Sequence, residues 1–245
     1  MNTLRLVMAA CPLLAGSAAA DLAKLEVPIG PRGATGTLYL YVFDAREVSM
    51  QIIDQGGLDA QAHEHLGAAM VAHGCVAGAT GGHFDPKGTP LGLVVADGKK
   101  IGAPSGKGEM TEGVLVQDGE RLRILRAPSF FGNGASQARN LVQAGPFLVE
   151  NGKAVTGLSS RKHARRTFIV TDGGHRWALG YAPPTSLAAL AKILADAERF
   201  TPFKVHAALS LGDGSSAALW VKSENHPFYL HEVDPVRNFV GLVQR

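Results

Sequence analysis

The chain reads as an α+β protein built mostly from antiparallel sheet, with two or three packed helices. Three observations predict this class. Apolar residues alternate with a period of two over much of the sequence, the pattern of strands with one buried face. Asn/Asp-Gly pairs stand between apolar runs at Asp97-Gly98, Asp118-Gly119, Asn151-Gly152 and Asp172-Gly173, and each suits a two-residue hairpin turn. Helical spacing is confined to two longer stretches and one short one, so the sheet arises from hairpins and not from β-α-β units.

Taken in order, residues 36–54 alternate and are rich in β-branched and aromatic side chains, predicting two strands. Residues 58–73, "LDAQAHEHLGAAMVAH", have helical spacing, with Leu66, Ala69, Met70 and His73 on one face. "CVAGATGG" (75–82) is a short buried strand, and Leu91 to Leu125 holds two successive hairpins. "SQARNLVQAG" (136–145) is expected as a short helix or turn leading into the strand "PFLVENGKAV" (146–155). Another hairpin spans 165–182. Residues 185–200 form the clearest helix: Thr185 or Ser186 caps it, Pro183-Pro184 stop anything earlier, and Leu187, Leu190, Ala191 and Leu194 make its apolar stripe. It leads into "LSLGDGSSAALW" (209–220), where a fifth Asp-Gly pair, Asp213-Gly214, carries Gly212 before it and Ser215-Ser216 after it.

A length of 245 residues, 46% hydrophobic and 18% charged, fits one packed domain, and no linker or fixed-period repeat divides it. Residues 1–20 differ: Arg5, an apolar run to about Leu14, then Ala18-Ala19-Ala20 give the layout of a signal peptide cleaved after Ala20. The apolar run is shorter than the ~20 residues that span a bilayer, and the neighbours of Cys11 make a poor lipidation site. The expectation is an exported protein, periplasmic or secreted, with residues 21–245 as its single domain and no stable membrane insertion. Removing Arg5 takes the net charge from +3 to +2, too small an excess to imply nucleic acid or an anionic membrane as partner. Cys75 is then the one cysteine left, so no intrachain disulfide forms; it reads as a small buried hydrophobe.

Five stretches are more polar or glycine-rich than a sheet requires. In "TGGHFDPKGTPLGLVV" (80–95) the glycines, Gly82 among them, allow close backbone approach and display His83 and Asp85 on a loop; the plainer alternative is a glycine turn closed by Pro86. Gln143 precedes Gly145-Pro146 at a strand start, where a lone Gln reads as a solvated or backbone-bonded amide. In "RKHARRTFIV" (161–170), Arg166 and Thr167 open a strand, where a fixed guanidinium suits phosphate or carboxylate, while Arg161, Lys162 and Arg165 read as a solvated face. Asp213, Gly214, Ser215 and Ser216 could present a carboxylate, hydroxyls and backbone amides to one anion. His63 and His65, two apart, do not make the metalloprotease helix motif and read as structural or solvated. There is no Gly-x-Ser-x-Gly elbow, no phosphate-binding loop ending in Gly-Lys-Ser/Thr and no Cys-x-x-Cys pair.

Together and in order, "TGGHFDPKGTPLGLVV", "QAGPFLVENG", "RRTFIV", the helix "SLAALAKILADA", "LSLGDGSSAALW" and the closing "VRNFVGL" resemble the phosphodiester glycosidase family over about residues 70–243. The sequence departs from that family's pattern at Thr80 (usually Asn), His83 (usually aromatic) and Ser210 (usually Asn), and Gly212-Asp213 stands where the family has Asp-Gly. The resemblance implies a hydrolase that cleaves a sugar's anomeric bond to a phosphodiester, on a small-molecule or glycan substrate. Asp213 would be the catalytic carboxylate, with His83 or Asp85 as proton-transfer partner. Arg166, Ser215 and Ser216 would contact the phosphate, Gln143 would orient the substrate, and Thr167, Gly82 and Gly214 would also bind it. The rival expectation is an exported binding protein for a phosphorylated glycan, catalysis lost through the Gly212-Asp213 exchange. No cofactor and no metal ligand set is implied, although an oxygen-ligated divalent cation beside Asp213 stays open, and nothing sets an oligomeric state.

Overall fold

A computed structural model describes residues 21–29, 35–59, 61–106, 108–132 and 138–245; the expected signal segment 1–20 lies outside them. The described chain forms three antiparallel sheets. The first has seven strands in the spatial order Asp21–Pro28, Thr35–Asp44, Arg176–Thr185, Ala164–Thr171, Ala207–Asp213, Phe147–Glu150 and Lys153–Ala154. The second, five-stranded, runs Phe228–Leu230, Leu219–Val221, Ala77–Thr80, Asn238–Gln244, Val48–Asp54. The third runs Lys99–Ile101, Val94–Ala96, Asn140–Ala144, Gly113–Asp118, Arg121–Arg126.

Period-two patterning explains the layering. Tyr41 and Phe43 of one strand face a core shared with Met50, Ile52, Leu219 and Val240 of the second sheet and Leu115 and Val142 of the third. Leu38 and Leu40, at the alternate positions just before them, face the opposite way, onto the helix Leu187–Ala195. The outer face of the second sheet is covered by the helix Leu66–Ala72, that of the third by the helix Ala127–Gly132. All three sheets therefore put one face on a common core and the other under a helix, the α+β arrangement the sequence predicts.

The edge of the second sheet meets the third through side chains. Gln117 Oε1 accepts from the Met50 amide (3.2 Å) and Asn140 Oδ1 from the Ile52 amide (2.9 Å), standing in for the carbonyls of a missing neighbour strand.

Several expectations change at this level. The first helix begins only at Leu66, because the His65 ring accepts from the Ala68 amide (3.0 Å) and ends the helix there; His73 is its exposed C-cap, off the apolar face. Asn140–Ala144 is no helix or turn but the central strand of the third sheet, with Leu141, Val142, Gln143 and Ala144 buried on both faces. The helix Ala127–Gly132, in "APSFFG", was not expected. Asp97-Gly98 and Asn151-Gly152 are two-residue turns with positive φ at both positions. Asp118 instead ends its strand opposite Arg121, so the turn is Gly119-Glu120. Asp172 opens a longer loop, spanned by its carboxylate accepting from the Gly174 and Arg176 amides. Asp213-Gly214 is no hairpin at all. There the chain leaves the first sheet, makes a 3₁₀ turn over Gly214–Ser216, and enters the second.

Candidate functional site

That crossing places the site. Strand Ala207–Asp213 pairs with Ala164–Thr171, Phe168 standing opposite Ser210 but Arg166 opposite Asp213. Leu211 and Gly212 thus answer the single Thr167, which is a β-bulge. Residues directly opposite in a ladder share a face. In a regular ladder Gly212 would oppose Arg166 and Asp213 would turn away; the extra residue brings Asp213 back to the arginine's side. Only glycine suits position 212, since a Cβ there would stand 2.6 Å from Thr80 Cγ2.

The Arg166 side chain is 2% exposed, and its guanidinium is held from three directions. Nε donates to the Thr185 carbonyl (3.0 Å), Nη2 to the Lys162 carbonyl (3.1 Å) and Nη1 to Asp213 Oδ2 (3.3 Å). Asp213 is 18% exposed and also accepts from Lys162 Nζ at 2.9 Å, whose side chain is 63% exposed. Burial pulls the Asp213 carboxyl upward, but the Lys162 ammonium, the His83 ring and Arg166 outweigh it, so its pKa lies below the usual carboxylate value. Burial lowers the pKa of Arg166, and the Asp213 charge works against that.

His83, half-buried, lies within the electrostatic reach of Asp213. Its Nε2 stands 3.0 Å from the Gly145 carbonyl, an acceptor only, so Nε2 carries the proton and Nδ1 is the basic nitrogen. Burial drives its pKa down; Asp213 and the bond to Gly145 pull it up, and Lys162 and Arg166 push it down again, leaving it below the ordinary histidine value.

The remaining expected residues are placed less directly. Asp85 is committed to its own loop, its Oδ1 accepting from the Lys87 (2.8 Å) and Thr89 (2.9 Å) amides. Gln143 is buried, and its carboxamide is fully engaged: Oε1 accepts from the Leu93 and Ser105 amides (3.0 Å each), and Nε2 donates to the Ser105 carbonyl and to that of Thr111 (2.8 Å). It fastens the 3₁₀ turn Glu109–Thr111 to the third sheet. Thr167 is buried too; its hydroxyl accepts from the Gly212 amide (2.9 Å) and places its proton between the Thr80 and Gly212 carbonyls (3.1 Å each), locking the bulge. The Gly82 amide donates to Asn238 Oδ1 (2.8 Å), and a Cβ there would meet Val142 Cγ2 at 2.6 Å. Gly214 has a φ of +76°, which opens the turn after Asp213. Ser216 Oγ donates to the Asp213 carbonyl (3.1 Å), whereas Ser215 Oγ donates to the Asp234 carboxylate, so in this conformation neither serine proton is turned towards an anion beside Arg166.

Two residues read as solvated turn out to shape the site. Lys162 pairs with Asp213, and Arg165 donates to the carbonyls of Gly214 (3.1 Å), His231 (3.1 Å) and Ser215, clamping the turn that follows the aspartate. A signal existed for Arg165 alone: Arg165 and Arg166, adjacent in a strand, must take opposite faces. Among the described residues no group of three or more His, Cys, Asp and Glu is placed to hold a metal. A separate cavity of about 620 Å³ is lined by Pro104, Thr111, Glu112, Arg126, Pro128 and Phe131 among others, and Lys162, Arg166, His83 and Asp213 do not line it.

The structure is similar to solved structures at low sequence identity, which shows the fold. The catalytic domain of zebrafish N-acetylglucosamine-1-phosphodiester α-N-acetylglucosaminidase, auto-inhibited by its pro-peptide, matches with a TM-score of 0.64 at 15% identity, over 92% of this chain and 83% of that one. A hypothetical protein from Synechocystis gives 0.61 at 15% identity, over 91% and 62% of the two chains. A protein from Burkholderia pseudomallei whose name suggests export gives 0.55 at 13% identity, over 88% and 75% of the two chains. No curated protein sequence matches the chain. The sequence model of phosphodiester glycosidases does match, over residues 73–243, a span that holds His83, Gln143, Arg166 and Asp213. The chain belongs to the phosphodiester glycosidase family.

Proposed function

We propose that the protein hydrolyses a sugar-1-phosphodiester at the bond between the anomeric carbon and the phosphate oxygen, after export from the cytoplasm. The observation that carries this reading is the bulge that sets Asp213 against Arg166. A family pattern displaced by one residue is met by a ladder displaced by one residue.

The chemistry follows from the charges. As the anomeric bond breaks, the sugar becomes oxocarbenium-like and positive, and the leaving phosphate gains a negative charge. Asp213, kept ionised by its cationic neighbours, stabilises the first charge. Lys162 Nζ is the cation that can reach the second from solvent, with Arg166 behind it; this gives Arg166 the task of orienting Asp213 more than touching substrate. The departing phosphate monoester has a second pKa of about 6, so it needs little help from an acid at neutral pH. What the reaction needs instead is removal of a proton from the attacking water. His83 Nδ1, unprotonated beside Asp213, is one acceptor for it.

The test is hydrolysis of a panel of sugar-1-phosphodiesters in ¹⁸O-labelled water by the protein lacking residues 1–20 and by its Asp213→Asn form. Label in the sugar, with the rate lost in the variant, supports the reading. Label in the phosphate identifies a phosphodiesterase instead. Binding without turnover of any member of the panel identifies a binding protein.

A further inference from the structure

Two glutamines of one strand hold two histidines against each other. Gln51 lies within the strand Val48–Asp54 and Gln55 just past its end, about 13 Å further along the same face. Ile53, between them, packs with Leu66 and Met70 of the helix Leu66–Ala72. Buried Gln55 grips the backbone of His63 twice: Oε1 accepts from the His63 amide (3.1 Å) and Nε2 donates to the His63 carbonyl (3.0 Å). Gln51 Nε2 donates to the His73 carbonyl (3.2 Å), and the His73 amide closes the helix on the Ala69 carbonyl (3.0 Å). The two histidines thus flank the helix, one before its N-cap and one at its C-cap, with both backbones tied to the strand. Their rings meet, Nε2 standing 3.2 Å from Nε2, with centroids 5.2 Å apart and planes at 75°.

With both rings neutral, one Nε2 must donate its proton to the lone pair of the other, and 3.2 Å is at the long end for such a bond. The same spacing belongs to two imidazole nitrogens aimed at one ion. At metal–nitrogen distances of about 2.05 Å it corresponds to an angle of about 103°, near the tetrahedral value. His73 is exposed and His63 half-buried, so an ion can enter from solvent without opening the core. We propose that His63 and His73 form a site for a borderline divalent metal ion, Zn²⁺ in the first place, which clasps the helix Leu66–Ala72 at both ends. Imidazole suits such ions, whereas Mg²⁺ and Ca²⁺ take oxygen. Binding needs both Nε2 atoms bare, so the donating ring moves its proton to Nδ1. Among the described residues no third His, Cys, Asp or Glu completes the set, so water fills the remaining positions. The pair escapes a motif search because its spacing of ten spans a whole helix, where the familiar helical pair is spaced by four. Nothing in it depends on the hydrolytic reading.

The experiment titrates Zn²⁺ into untagged protein by calorimetry, for wild type, His63→Gln, His73→Gln and a control, His226→Gln, which alters an exposed histidine of another loop. Wild type is expected to bind one Zn²⁺ at a site whose affinity falls by about 10-fold or more in either site variant and is unchanged in the control. Excess Zn²⁺ is expected to raise the melting temperature of wild type and of the control but not of the site variants, and without metal all four should melt alike. One equivalent of Cu²⁺, read by electron paramagnetic resonance, should show two equatorial nitrogens in wild type and fewer in either site variant, a signature that a merely structural pair would not give. Zn²⁺ affinity that is equal in wild type and His73→Gln, or a Cu²⁺ spectrum that keeps both nitrogens in the two site variants, overturns the proposal. So does the absence of saturable binding by wild type, which would leave the pair as a hydrogen bond alone.

Discussion

The Arg166–Asp213 pair makes a sharp stability prediction. Asp213→Ala leaves a guanidinium that is 2% exposed without its counter-charge. Breaking a fully buried pair from one side costs about 3–5 kcal/mol. Asp213 itself is 18% exposed and Arg166 keeps the Thr185 and Lys162 carbonyls, which brings the cost just below that range, to about 2–3 kcal/mol. At roughly 2–4 °C per kcal/mol for a chain of this size, the melting temperature should fall by about 4–12 °C. Asp213→Asn, which keeps an acceptor for Nη1, should lose about half as much. Lys162→Ala, on the exposed side of the same carboxylate, should lose under about 1 kcal/mol. A double-mutant cycle with Arg166→Met should return a coupling of about 1.5 kcal/mol or more. Because the folded pKa of Asp213 lies below its unfolded value of about 3.9, this contribution is complete above that pH and disappears as pH falls through the folded value. Urea denaturation at pH 7 and pH 3 checks both parts. A coupling near zero at pH 7, or an Asp213→Ala deficit that does not shrink in acid, would refute the assignment of charge to this pair.

Two further outcomes follow from the same geometry. Gln143→Leu removes the carboxamide's bonds to the Leu93 and Ser105 amides and to the Thr111 carbonyl, and should cost about 3 kcal/mol in denaturant unfolding; a loss under 1 kcal/mol would mean the turn Glu109–Thr111 is held some other way. His83, its folded pKa below the unfolded value of about 6.5, resists the proton that the unfolded chain accepts, so stability declines as pH drops from 7 towards 5. His83→Gln should flatten that decline, and an unchanged slope between those pH values, measured by thermal melts, would count against a neutral, half-buried imidazole.

Much of the fold could be read ahead of the coordinates because its determinants are local. The Leu187–Ala195 helix shows its cap, Ser186, and its stripe in the sequence itself, and Asn151-Gly152 announces a turn that few other pairs can make. Asn140–Ala144 was misread because a strand buried on both faces loses its alternation, and then short apolar runs look alike. The site was only half legible. Arg166 and Asp213 could be named, but their meeting depends on the bulge opposite Thr167, which has no signature beyond a glycine. Gln143 is a backbone-bonded amide, the plainer of its two readings, but its partners, Leu93, Ser105 and Thr111, are distant in sequence and nothing local names them. Lys162 and Arg165 were hidden by company: in a basic run, charge alone does not tell a clamp from a solvated face, and the carbonyls that Arg165 grips belong to a turn some fifty residues on.

The carboxamides of Gln117 and Asn140 have a bearing on aggregation. Strand Val48–Asp54 presents Met50 and Ile52 on the rim of a five-stranded sheet, the sort of border on which a second chain could align and start an aggregate. With the Met50 and Ile52 N–H groups already occupied by side chains of the neighbouring sheet, that border offers a newcomer little to grip. Shortening Gln117 or Asn140 would reopen it, and the harm would surface first as lost solubility.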